Sequence, residues 1–192
     1  MKIGVLSLQG DFFEHCQALK QIGVTPVQIR QAKDLEGISG LIIPGGESTT
    51  MSILLDDFGM RKKIVQLARR GMPVFGTCAG AILAGKKIVS EKKVKPLGLI
   101  DIKIERNSYG RQVDSFESPL DVSGAGKING VFIRAPVIKK TGRGVEILCR
   151  LGKTPVFVRE KNVFASTFHP ELSGNTKVHE MFAKEAEKYS KK

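Results

Sequence analysis

The 192-residue chain reads as an α/β protein: a doubly wound, mostly parallel sheet flanked by helices, with antiparallel strands added in its second half. Three observations predict this. Short apolar runs alternate with helical patterns up to residue 84, and those runs lack the polar alternation of a half-solvated sheet. After Lys95 the apolar runs crowd together and only turn clusters separate them. Alternating strand and helix is the pattern of parallel crossover units, and unbroken apolar strands belong to a sheet covered on both faces.

Residues 2–8 form the first strand, and residues 14–22 a helix that Gly23 ends. Residues 24–29 are the second strand, and Gly40-Leu41-Ile42-Ile43 a fully apolar third. Residues 52–55 and 60–70 are helical. The latter places Met60, Ile64, Leu67 and Ala68 on one face before Gly71 stops it. Val74-Phe75 is the next strand, and Ala81-Ile82-Leu83-Ala84 begins another helix. Residues 99–105, 131–134, 145–151, 155–159 and 163–167 are strand-like, and they read as antiparallel additions. Val178, Met181, Phe182, Ala186 and Tyr189 mark one face of a closing helix. No repeat, low-complexity tract or linker interrupts this order, so residues 1–192 are read as one domain. A chain of this length buries about 70% of its unfolded surface.

Composition excludes several classes. No apolar run approaches the roughly 18 residues of a membrane span, and the opening Ile3-Gly4-Val5-Leu6 is a strand without the basic flank of an export signal. Three widely spaced cysteines, Cys16, Cys78 and Cys149, are odd in number and argue against a disulfide framework, which suits a cytoplasmic protein. The formal charge is +12, yet its lysines and arginines fall in scattered pairs such as Arg69-Arg70, Lys92-Lys93 and Lys191-Lys192. With two tyrosines and no tryptophan, stacking platforms for bases are scarce. Solvated surface is the reading, with no nucleic acid and no membrane as partner.

The chemistry centres on Gly76-Thr77-Cys78-Ala79-Gly80, which joins a strand to a helix. Small residues on both sides permit the strained turn that lifts a nucleophile above a sheet, and the helix N-terminus beyond it favours a thiolate. Downstream, Thr167-Phe168-His169-Pro170-Glu171 follows a buried strand. A histidine supplies the base that a thiol needs, and a carboxylate can hold its tautomer. If the chain stays extended there, His169 and Glu171 point the same way. His15 and Cys16 are adjacent rather than spaced for one ion, and His179 falls on the polar side of the closing helix, so no metal site is expected.

Pro44-Gly45-Gly46-Glu47-Ser48-Thr49 follows the third strand, where ligands of parallel sheets bind. The Gly45-Gly46 peptide can turn an N–H toward an oxyanion, with the amide of Ala79 as second donor. The same glycines also suit a plain turn capped by Ser48 or Thr49.

Together with Leu8-Gln9-Gly10, the stretch from Glu105-Arg106 to Gly110-Arg111-Gln112, and Val131-Phe132-Ile133-Arg134-Ala135-Pro136, these motifs resemble the triad class of glutamine amidotransferases. Within it they are most similar to the glutaminase subunits of pyridoxal phosphate synthase. The likeness spans the chain, though many class members have Gln where this one has Ile82. The resemblance implies a Cys78, His169, Glu171 triad and an oxyanion hole from Gly46 and Ala79. Glutamine is then bound by Gly46, Glu47, Ser48, Arg106, Ile133 and Arg134. It implies hydrolysis of L-glutamine to glutamate and ammonia, and delivery of the ammonia to a separate synthase subunit. Gln9 and Gly10 become candidates for contact with that partner. Pyridoxal phosphate is then the product of the complex, and this chain carries no cofactor. Two other readings stay open: a glutaminase serving another ammonia-using synthase, and a catalytically idle regulatory module.

Overall fold

The computed structural model describes residues 1–89, 93–106 and 115–191. Residues 107–112 of the Arg106 motif, with Lys92 and Lys192, lie outside the described residues. In chain order come β1 (Lys2–Leu6), α1 (Phe12–Gln21), β2 (Thr25–Ile29), a 3-10 turn at Ala32–Leu35, and β3 (Gly40–Ile43). There follow α2 (Ser48–Asp57), α3 (Met60–Arg69), β4 (Val74–Thr77), α4 (Ala79–Ala84), β5 (Gly85–Val89) and β6 (Ile100–Glu105). The remainder is β7 (Ser115–Val122), β8 (Gly126–Ile133), β9 (Val137–Thr141), β10 (Glu146–Leu151), β11 (Thr154–Glu160), β12 (Val163–Ser166), a 3-10 turn at Pro170–Leu172, and α5 (Lys177–Ser190).

The central sheet has the order β10-β11-β12-β4-β3-β1-β2. From β12 to β2 every pairing is parallel, while β10 and β11 are antiparallel additions. The strand at Val163–Ser166 is therefore not one of the antiparallel strands expected from the sequence. It runs parallel to β4, with Ser166 beside Thr77. Burial explains the apolar runs. In β3, Leu41 and Ile43 enter one core with Met51, Leu55 and Ile64, while Ile42 enters the other. Val163 and Ala165 of β12 likewise face the first core and Phe164 the second. Two cores, one on each face, are what a doubly wound sheet requires. The second is built on aromatic rings: Phe75 lies 5.7 Å from both Phe157 and Phe182.

Three strands carry too little apolar signal to be read from sequence. β5 continues directly from α4, β9 contains Lys139 and Lys140, and β7 is half exposed and contains Pro119. They are held by their neighbours, β5 and β9 flanking β6 and β7 pairing along its length with β8. Residues 131–134 prove to be mostly the end of β8. Among the described residues, no helix is long and apolar enough to cross a membrane.

α2 begins four residues earlier than its apolar pattern because Glu47 caps it, a role that falls to neither Ser48 nor Thr49. The Glu47 carboxylate accepts from the amides of Thr49 at 3.1 Å and Thr50 at 2.7 Å. Desolvation works against the anion, but these bonds outweigh it and lower the pKa of Glu47 from 4.5 to about 2.

Two outcomes follow from packing and capping. Phe182→Ala removes a wholly buried ring and should cost about 3–5 kcal/mol in denaturant unfolding; a loss under about 1 kcal/mol would contradict the packing of the second core. Since the pKa of Glu47 falls on folding, its contribution is present above pH 4.5 and lost as pH drops toward 2. Glu47→Gln should then be less stable at pH 7 by no more than about 1 kcal/mol, given the solvent around the cap. Urea titrations at pH 7 and pH 2.5 check whether that difference closes in acid.

Candidate active site

β4 ends at Thr77 and α4 starts at Ala79, leaving Cys78 alone to make the turn. Its backbone sits at φ 48°, ψ −104°, a region that side chains avoid and that costs roughly 1–3 kcal/mol. The strain holds because both neighbours are constrained. A Cβ on Gly80 would fall on the Ile43 carbonyl oxygen, and one on Gly76 would meet the Gly80 carbonyl. Only glycine at both positions lets α4 lie that close to the sheet. The Cys78 amide donates to the Ser166 carbonyl at 2.8 Å, and its thiol to the Ile133 carbonyl at 3.9 Å.

His169 lies three residues past the end of β12, and its Nδ1 is 2.8 Å from Glu171 Oε1. The chain does not stay extended here. Pro170–Leu172 forms a 3-10 turn, and it is this turn, rather than a strand alternation, that folds Glu171 back onto the ring. Asp11 Oδ2 stands 3.3 Å from the same Nδ1. Burial disfavours the imidazolium, yet Asp11, the neighbouring Cys78 and Glu171 together overcome it and push the pKa of His169 up to about 12. Nε2 is buried and, among the described residues, has no hydrogen-bond partner. It is the ring atom left over for chemistry.

A cavity of about 360 Å³ opens beside Cys78 and His169. Gln9, Gly46, Glu47, Ser48 and Ala79 line one part of it, and Arg106, Ile133 and Arg134 another. Ten of the residues singled out from sequence thus meet in one space, while Gly10 and Glu171 stand outside its lining. Several are already engaged. Arg106 Nη2 is 2.9 Å from Glu47 Oε1, and its Nη1 donates to Thr49 Oγ1 at 3.1 Å. Gln9 brackets the Glu47 peptide, donating to its carbonyl at 3.1 Å and accepting from its amide at 3.3 Å. Ser48 Oγ is buried with no partner. Arg134 has φ 42°, a second strained non-glycine residue at the cavity wall. Gly46 has φ 140°, and a Cβ there would strike the Gln9 amide. The Gly45 carbonyl accepts from the Asp11 amide at 3.3 Å.

Asp11, His169 and Glu171 bring ligand-type atoms within 4.8 Å of one another, but both carboxylates are turned on one imidazole nitrogen. Asp11 escaped sequence reading because a lone aspartate before a helix looks like an ordinary cap. Its side chain caps nothing. His179 is a correction of a different kind. It is fully buried rather than on a polar face, and its Nε2 lies 2.9 Å from His15 Nδ1. The signal was present: His179, Phe182, Ala183 and Ala186 share the helical spacing of a buried stripe.

The chain is 53% identical over 193 residues to pyridoxal 5'-phosphate synthase subunit PdxT of Dehalococcoides mccartyi, covering 98% of this chain and 99% of the relative. It is 49% identical to the subunit of the same name from Thermus thermophilus, with 94% and 95% covered. A crystal structure of a glutamine amidotransferase superposes with a TM-score of 0.93 at 47% identity, covering 96% of this chain and 98% of that one. PurLQS from Thermotoga maritima, at 18% identity and a TM-score of 0.71, shares the fold alone. Residues 5–188 match the SNO glutamine amidotransferase family, and the chain belongs to that family.

Proposed function

We propose that this chain is the glutaminase subunit of a pyridoxal phosphate synthase, hydrolysing L-glutamine through Cys78, His169 and Glu171. The observation that carries the proposal is the juxtaposition of a strained Cys78 with a His169 ring whose Nδ1 is held by Glu171 and whose Nε2 is unpartnered. The near-full-length identity to subunits of that synthase names the pathway.

Cys78 Sγ attacks the side-chain amide carbon of glutamine. As the C–N bond breaks, His169 gives its proton to the departing ammonia and a γ-glutamyl thioester remains. Water then attacks the thioester, its proton passing to His169 and on to the leaving sulfur as glutamate is released. The amides of Gly46 and Ala79 are the donors to the oxyanion of each tetrahedral intermediate. Arg106 and Arg134 offer charge to the α-carboxylate, and Ser48 Oγ, buried without a partner, can take a hydrogen bond from the substrate. Glu47 receives the α-ammonium only through whatever capacity its cap and Arg106 leave it. The ammonia passes to the synthase subunit, which contacts this chain near Gln9 and Gly10. Three unpaired thiols suit a cytoplasmic site of action.

Regulation by the partner fits the Gly45-Gly46 peptide. Neither residue has a Cβ, and a single 3.3 Å bond from Asp11 holds the carbonyl. Docking near Gly10 can reset that peptide and complete the oxyanion hole.

Cys78→Ala should abolish glutamate production while keeping the thermal transition, since so small a deletion leaves little cavity. His169→Asn should be nearly as severe and Glu171→Gln milder, because orientation survives without the charge. Turnover by a folded Cys78→Ala protein would remove the reading. Ammonia release by the isolated chain should rise roughly 10²–10³-fold on adding purified synthase subunit, the value of one oxyanion donor. An isolated chain already at full rate would point to an independent hydrolase.

A further inference from the structure

Behind Glu171 lies a row of buried polar groups that the proposed reaction does not use. Glu171 Oε1 faces His169, and Oε2 lies 3.3 Å from Nε2 of His15 on α1. The same His15 Nε2 is 3.2 Å from Thr77 Oγ1, on the residue before the nucleophile. His15 Nδ1 is 2.9 Å from Nε2 of His179 on α5, and Nδ1 of His179 has no partner. Both side chains are wholly buried.

We infer that His15, oriented by His179, is the positioning residue that fixes the Glu171 carboxylate behind His169. The inference rests on the triad reading above and extends it by two residues.

Proton counting carries the argument. One proton lies between His15 Nδ1 and His179 Nε2, and it belongs to one ring or the other. If His15 held it, His15 Nε2 would turn a lone pair toward a carboxylate oxygen, and His179 Nδ1–H would be a buried donor with no acceptor. An orphaned buried donor of that kind costs about 1–3 kcal/mol. If His179 holds it, His15 Nε2–H bonds Thr77 Oγ1 at 3.2 Å and turns its positive end to Glu171 Oε2. That oxygen lies 3.3 Å from the same nitrogen and has no other partner among the described residues, and His179 Nδ1 keeps an acceptor lone pair. That second arrangement leaves no ring N–H unsatisfied. It needs both rings neutral. Burial supplies this by holding the pKa of His15 well below its usual value and that of His179 near 4. A fixed N–H dipole then favours the Glu171 anion, whose own burial pushes its pKa up. The titratable groups around Glu171 are His169 on its own turn and Asp11 and His15 from the start of α1, with His179 of α5 behind His15 and Cys78 beyond the His169 ring.

The test is steady-state glutamate release across pH with the synthase subunit present. His15→Phe keeps a planar ring in place and removes the donor. It should lower kcat roughly tenfold, the lower range for outer-shell partners in metal sites, with KM within about twofold. Without the donor Glu171 protonates more readily, so the acid limb of the profile should move to higher pH by about 0.5 unit or more. His15→Gln, whose amide N–H can reach the place of Nε2, should restore both. Wild-type kcat and acid limb in folded His15→Phe overturn the inference, as does His15→Gln impaired equally at the same Tm. If His15→Phe does not fold, His179→Phe decides by the same limb, an unmoved limb counting against. Nitrogen-15 shifts of the full chain give a reading free of activity: a protonated Nδ1 on His15 would also overturn it. Cys78→Ala keeps the two claims apart. An active Cys78→Ala protein sinks the triad, whereas a dead one beside wild-type His15→Phe sinks this inference alone.

Discussion

Ser166 and Thr77 sit side by side at the ends of neighbouring parallel strands, and the Cys78 amide donates across to the Ser166 carbonyl. Both halves of the site hang from that pairing. β4 runs into the elbow and β12 into the histidine loop, so the two segments leave the sheet at the same edge and level. An antiparallel β12 would send His169 to the far end of the sheet. The parallel arrangement is costly in chain length, since 85 residues separate Thr77 from Val163 and include the strands β5 to β11. Those intervening strands are not idle, because β8 delivers Ile133 and Arg134 to the cavity and its Val131 carbonyl accepts the His169 amide at 2.8 Å.

How much of this was legible depends on the kind of signal each residue carries. The elbow was, because glycines on both sides of a cysteine between a strand and a helix mark a helix start pressed against the sheet. The buried strands were, because their apolar runs have no solvent face. The 3-10 turn at Pro170–Leu172 was not, since period-two alternation gives the same pairing of His169 with Glu171 by a different geometry. The N-cap of α2 was misassigned to hydroxyls because Glu47 looked available for substrate, while its carboxylate is in fact occupied by the Thr49 and Thr50 amides. β7 and β9 carry a proline and paired lysines, and cross-strand neighbours rather than their own residues hold them. His179 was sorted by polarity alone. A buried histidine with a partner breaks no rule of burial, and only the position of that partner, 164 residues away, makes the placement visible.

Electrostatically the site runs against the rest of the molecule. The chain carries a formal charge of +12, yet two carboxylates converge on one imidazole at its centre. Each acid stabilises the imidazolium, and the imidazolium in turn keeps Glu171 from being an isolated buried charge. Removing one partner from such a cluster costs more than the cluster contributes as a whole, because the remaining charge stays buried. The phenylalanine core beside it sharpens the effect. Phe168 precedes the histidine and packs at a tilt on Phe132, ring centroids 5.8 Å apart, and His169 itself is buried.

Asp11 connects two parts of the machinery that the sequence keeps apart. Its amide holds the Gly45 carbonyl, and its carboxylate reaches Nδ1 of His169. A Cβ on Gly45 would collide with His169 and press on the Asp11 carboxylate, so glycine there is what allows loop, acid and ring to share this space. The consequence is mechanical. Any motion of the segment from Gln9 to Asp11 acts at once on the Gly45-Gly46 peptide, the proposed oxyanion donor, and on the charge beside the His169 ring. Gln9 adds a third tie through the Glu47 peptide, and Glu47 passes it on to α2 and Arg106. A contact at the exposed Gly10 therefore bears on the Gly45-Gly46 loop, the His169 imidazole and the Glu47–Arg106 wall of the cavity through contacts of 2.9–3.3 Å, with no need for a distant conformational change.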